Sequence, residues 1–182
     1  MLIILTAALL WPCQAMAAEK RAKRQAAKPA HSESVAAVMV NDANLHDSLR
    51  SAEDQMKKGR TDDALNILLA VHAYATESLK FLVCANEAYE KARSDPALAQ
   101  DQKETLYLKQ QRIGSLVTRY SKVRGEAAYE LAVAYAKKGD AGQARKYLTE
   151  ACRTLPFSLD PASPWMKSKD FFLKVSNLDG EF

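Results

Sequence analysis

Chain breakers are rare in this protein, with six glycines and six prolines among 182 residues. Strict alternation of apolar and polar residues, the mark of a half-buried strand, occurs nowhere, so a sheet-based fold is not expected. Histidine is confined to His31, His46 and His72, and cysteine to Cys13, Cys84 and Cys152. Their spacings fit no His-x-x-x-His, Cys-x-x-Cys or Cys-x-x-Cys-His pattern, which argues against a zinc site or attached haem. A glycine-rich phosphate loop and a nucleophile elbow are also missing. No catalytic residue, metal or cofactor is therefore expected. Cys84 and His72 come nearest to a thiol nucleophile with its base, if neighbouring antiparallel helices bring them together, but they lack a third, orienting group. Net charge is missing beyond the first 30 residues. Lys20, Arg21, Lys23, Arg24 and Lys28 against Glu19 account for the whole chain's +4. Residues 31–182 are neutral, and nucleic acid is not an expected partner.

What is present is alanine together with Leu, Lys, Glu and Gln, residues that lose little freedom in a helix; the expected class is all-α. Helices are expected over Leu45–Lys58 and Thr61–Ala75, around a Gly59-Arg60 turn, and over Glu77–Arg93. In the last of these Leu79, Leu82, Val83, Cys84, Ala88 and Tyr89 form an apolar stripe. Asp95-Pro96 reads as an acidic N-cap followed by proline in the first helical position, opening a helix to about Tyr120. Gly125–Lys138 and Ala141–Thr154 follow, joined at Gly139-Asp140, and Ser163-Pro164 starts a last helix carrying Trp165, Phe171 and Phe172.

The first 17 residues read as an export signal: Leu2–Leu10 is almost wholly apolar, and Ala15-Met16-Ala17 supplies the small residues of a cleavage site. Two readings stay open, cleavage after Ala17 or an uncut helix that tethers the protein to a membrane. Residues 18–44 read as a linker, basic at first; its charges either touch anionic headgroups or are simply solvated. Within it lies the apolar patch Val35–Val40. In an exporting reading Cys84 and Cys152 meet an oxidising compartment, where they either pair or serve as small buried hydrophobes.

Internal repetition carries the most information. Gly125–Ser158 has Leu131, Ala132 and Tyr135 in one helix, a Gly139-Asp140 turn, then Ala144, Leu148, Ala151 and Pro156. This segment resembles one tetratricopeptide repeat, a unit of about 34 residues. A weaker copy, Leu45–Ser78, has Ala52, Gly59, Ala64, Leu68 and Val71 at the matching places. The two turn glycines stand 80 residues apart, about 12 more than two repeats would give. Residues 79–120 are thus a degenerate middle pair, with the excess length assigned to the helix beginning at Pro96. The resemblance implies a short right-handed solenoid of antiparallel helix pairs spanning 45–182. Residues 163–175 then form either a capping helix or an aromatic face for a partner.

In such a solenoid the first helix of each pair lines a concave groove. The resemblance places Glu126, Tyr129, Val133, Ala136 and Lys137 there from the last repeat, and His46, Leu49, Glu53, Met56 and Lys57 from the first. Leu49 and Glu53 stand where the chaperone-tail clamp of the family has other residues, so that ligand is not implied. The expected function is a non-enzymatic, protein- or peptide-binding scaffold of the periplasm or cell envelope, with self-association as a further possibility. The alternative is an accessory subunit of an envelope complex, tethered through residues 1–17.

Overall fold

The computed structural model describes residues 39–178, and all regular structure among them is helical. The segments expected to be an export signal and, up to Val38, a linker lie outside the described residues, as do the last four residues. Five helices follow in order: α1 (Leu45–Lys57), α2 (Thr61–Arg93), α3 (Gln100–Lys137), α4 (Ala141–Thr154) and α5 (Pro164–Ser176). Each packs against the next in sequence, α2 against α3 most extensively.

Two turns of one design join α1 to α2 and α3 to α4. Gly59 (φ +76°) and Gly139 (φ +79°) take the left-handed conformation that lets the helix end without a Cβ clash. The following amide then reaches back to an orphan carbonyl: Arg60 N donates to Gln55 O at 3.0 Å and Asp140 N to Tyr135 O at 3.0 Å. Asp140 also caps α4, its carboxylate accepting from Gln143 N. At α5, Ser163 accepts from Met166 N with Pro164 in the first turn, as the sequence signals suggested.

The expected helix boundaries in the middle of the chain need correction. Thr61–Ala75 and Glu77–Arg93 are one helix of 33 residues, because Thr76, Glu77 and Ser78 contain nothing to break it. The expected helices 96–120 and Gly125–Lys138 likewise form one helix of 38 residues. That helix starts at Gln100, not at Pro96; Asp95 Oδ1 accepts instead from Ala97 N, which closes a turn on the helix side of Pro96. The degenerate middle pair is therefore not a separate unit. The second half of α2 and the first half of α3 run out and back as a long hairpin.

The hairpin has its own seam. Ala75, Leu79, Leu82, Asn86, Tyr89 and Arg93 recur at alternating steps of four and three. Lys103, Leu106, Gln110, Ile113, Val117 and Tyr120 do so on α3, and every one of these is buried or half-buried. This is the spacing of a two-helix coiled coil. Cation–π contacts seal its edges, Lys109 over Tyr89 at 5.7 Å and Arg93 over Tyr107 at 5.9 Å.

The core lies at the base of the hairpin, where α1, α2, α3 and α4 meet. Ala52, Ala64, Ala128, Ala132, Ala144 and Ala151 are fully buried there. Their small size lets the backbones approach, while Leu45, Leu68, Leu131 and Leu148 fill the remaining space. Among the described residues α2 is the one helix long and apolar enough to cross a membrane, and its Ala64, Leu65, Leu68, Val71 and Ala75 are buried within the fold. Trp165 on α5 donates its indole N–H to Cys152 O at 3.0 Å. Phe171, Phe172 and Val175 pack on the core. At the chain's described start, Tyr120 donates to Asp42 at 2.6 Å, and that bond first of all holds the Asp42 carboxyl below its ordinary range.

Candidate functional site

Three helices converge on one groove. On α1, His46, Leu49, Arg50 and Glu53 recur every three or four residues and share a face; on α3, Glu126, Tyr129 and Glu130 do the same; α5 adds Pro164 and Lys167. The space between them has a volume of about 360 Å³. Tyr129 forms part of the floor, set edge-on to Phe171 with ring centroids 6.4 Å apart, so α5 fixes its orientation.

Three carboxylates, Glu53, Glu126 and Glu130, share the groove with Arg50 and Lys167. Burial raises the pKa of Glu126, and the charge of Glu53 adds to it against the opposing Lys122 and His46. Burial also raises Glu130, again with Glu53 adding, while Lys137 and Lys57 pull it down. The Tyr129 hydroxyl is raised by burial and by Glu130. Removing negative groups from water without full compensation leaves them ready to pair with an incoming cation.

Of the ten residues expected in the groove, the structure brings five together, His46, Leu49, Glu53, Glu126 and Tyr129; Ala136 is half-buried outside it. Leu49 is nevertheless mostly buried, at 8% exposure. Met56 is a correction, since at 6% exposure it belongs to the core and offers a partner almost nothing. Val133 is half-buried against the core. Lys57 and Lys137 are exposed and reach the groove by charge, through Glu130. Arg50 and Glu130 were overlooked, although each lies four residues after an expected groove residue and so on the same face. Pro164 and Lys167 had no sequence signal, because only the packing of α5 brings them there.

A second polar cluster ties the helices together on other faces. His72 of α2 lies with Nε2 2.8 Å from Glu150 Oε1, and Arg124 of α3 donates its Nε–H to the same oxygen at 2.7 Å. Tyr147 stands edge-on to His72 and is stacked on Tyr135. The imagined Cys84–His72 pair does not form, since both lie on α2 twelve residues apart, about 18 Å along the axis. The two described cysteines are free, and Cys84 is exposed rather than buried. Among the described residues no group of three or more His, Cys, Asp or Glu is arranged to hold a metal.

No family model matches the chain, and no curated protein or solved structure is significantly similar to it.

Proposed function

We propose that the protein is a non-enzymatic scaffold that binds a protein segment in the groove between α1, α3 and α5. The observation that carries this reading is the convergence of three regularly spaced helix faces on one cleft with an aromatic floor and partly desolvated carboxylates. An extended or helical peptide is the occupant such a cleft fits. A Lys or Arg on it would pair with Glu53, Glu126 or Glu130, beside the ring of Tyr129.

The tetratricopeptide reading supports this. Its two repeats would be 45–78 and 125–158, separated by the hairpin and closed by α5. It rests on the paired glycine turns and on fully buried alanines at the places where the family packs its helices closely. Export to the periplasm or envelope is proposed on residues 1–17 alone.

The test is selection of peptides from a displayed random library on the purified protein, followed by titration of the winners. Peptides with a basic residue beside an apolar one are expected, with affinity falling at least about tenfold on Tyr129→Ala or Glu130→Lys. Winners that bind both variants as well as the parent would refute the groove.

A further inference from the structure

Along the hairpin, one side of α2 faces away from α3. Glu77, Lys80, Phe81, Cys84 and Glu87 on this side are exposed, as are Ala88 and Lys91. They recur at steps of three and four, so they form a single stripe on the helix. Phe81 is 72% exposed, a large ring left open in the middle of an ordered element.

The stripe is antisymmetric about Cys84. Glu77 lies seven residues before it and Lys91 seven after; Lys80 and Glu87 flank it on one side of the stripe, Phe81 and Ala88 on the other. Consider a second copy of α2 laid antiparallel on this face with the two-fold axis at Cys84. Glu77 is then level with Lys91 of the second copy. Lys80 comes within about 1.5 Å, one residue's rise, of the level of Glu87. Phe81 lies over the small Ala88, large against small. An antiparallel two-fold keeps each flank of the stripe opposite its own equivalent, so the charged flank meets charge and the apolar flank meets apolar. Each pairing occurs twice, as an isologous interface requires. A parallel pairing would set Glu77 against Glu77 and Lys80 against Lys80, which like-charge repulsion disfavours.

We infer that the chain forms a two-fold dimer through this face of α2, the hairpins lying antiparallel with Cys84 at the axis. The surface shares no residue with the groove of α1, α3 and α5, so the dimer leaves that groove open and does not depend on the peptide-binding reading.

The test starts with sedimentation equilibrium of the full chain under reducing conditions, where a mass twice that of the single chain is expected. Lys91→Glu sets like charges against each other twice across the axis and should raise the dimer's dissociation constant at least about tenfold. Glu77→Lys should act in the same direction, although Glu77 also pairs with Lys80 of its own helix at 2.8 Å. Combined, the two reversals restore opposite charges at both places and should bring the constant back to within about threefold of the parent. All these positions are exposed, and unchanged circular dichroism will show that the variants fold. In a Cys13→Ser, Cys152→Ser background, diamide should join two Cys84 thiols into one disulfide and take up both hydrogens, since the bond needs Cα atoms within about 7 Å. A monomer at all concentrations, a dimer insensitive to both single reversals, or a dimer that diamide does not cross-link through Cys84 would each overturn the inference.

Discussion

Gly114 and Gly125 lie in the same helix and differ in what an added methyl group would meet. A Cβ at Gly114 has no atom within 4 Å, whereas one at Gly125 would stand 2.7 Å from Leu155 Cγ and 3.3 Å from Leu155 N. Leu155 is itself buried, at 5% exposure, and cannot swing away freely. Alanine is intrinsically better than glycine in a helix by about 1 kcal/mol. Gly114→Ala should therefore raise stability by about 0.5–1 kcal/mol. At Gly125 overpacking outweighs the propensity gain, and Gly125→Ala should lower stability by about 1–2 kcal/mol. Urea unfolding of the two variants beside the parent checks both signs. In the sequence Gly125 looks like the start of a helix; only the approach of Leu155 shows why a glycine stands in the middle of one.

Helix identity was legible at the scale of elements, and helix continuity was not. The turn glycines marked the ends of α1 and α3, and Ser163-Pro164 marked the start of α5, because each performs a local backbone task visible in two or three residues. The joins at Thr76 and at 121–124 carry no such signal. A repeat boundary was expected there only because a repeat was expected, and nothing in the local chemistry stops a helix at either place. The apolar stripe was right for Leu79 and Leu82 and wrong for Val83, Cys84 and Ala88, which are exposed; a stripe read on one helix widens when its partner is unknown. The seam of the hairpin also contains a polar layer with a cost. Gln110 is half-buried in it, and its Oε1 is buried without a hydrogen-bond partner. Gln110→Leu removes that burden and adds apolar surface to the seam, and should stabilise the protein by about 1 kcal/mol. Slower amide hydrogen exchange along 86–110 is the expected readout. Faster exchange there would show that Gln110 supports the seam through its polarity rather than burdening it.

Among the described residues, Glu150 is central to the polar links between distant helices. It sits on α4 and receives both His72 from α2 and Arg124 from α3, so one carboxylate joins the first helix pair to the second. The groove was partly legible because its floor repeats at helical spacing along α1 and α3, but these cross-links join residues 26 and 78 positions apart and leave no periodic trace. Burial by itself would raise the Glu150 pKa; the hydrogen bonds from Arg124 and His72, and their charges, outweigh it and hold the carboxyl below 4.5. A carboxyl whose folded pKa lies below its unfolded one contributes stability above the unfolded value, and that contribution is lost as pH falls through the folded value. Glu126 and Glu130 act in the opposite sense, because burial raises them and the folded state takes up their protons first. Glu150→Gln should thus cost about 1.5–3 kcal/mol at neutral pH, the range for a hydrogen-bonded charged group. The gap to the parent should hold down to about pH 4.5 and close below it as the parent's own carboxyl is neutralised. Paired urea midpoints from pH 7 down to the acid limit measure that gap; one that stayed constant through the acid range would show that the charge of Glu150 does not hold α2, α3 and α4 together.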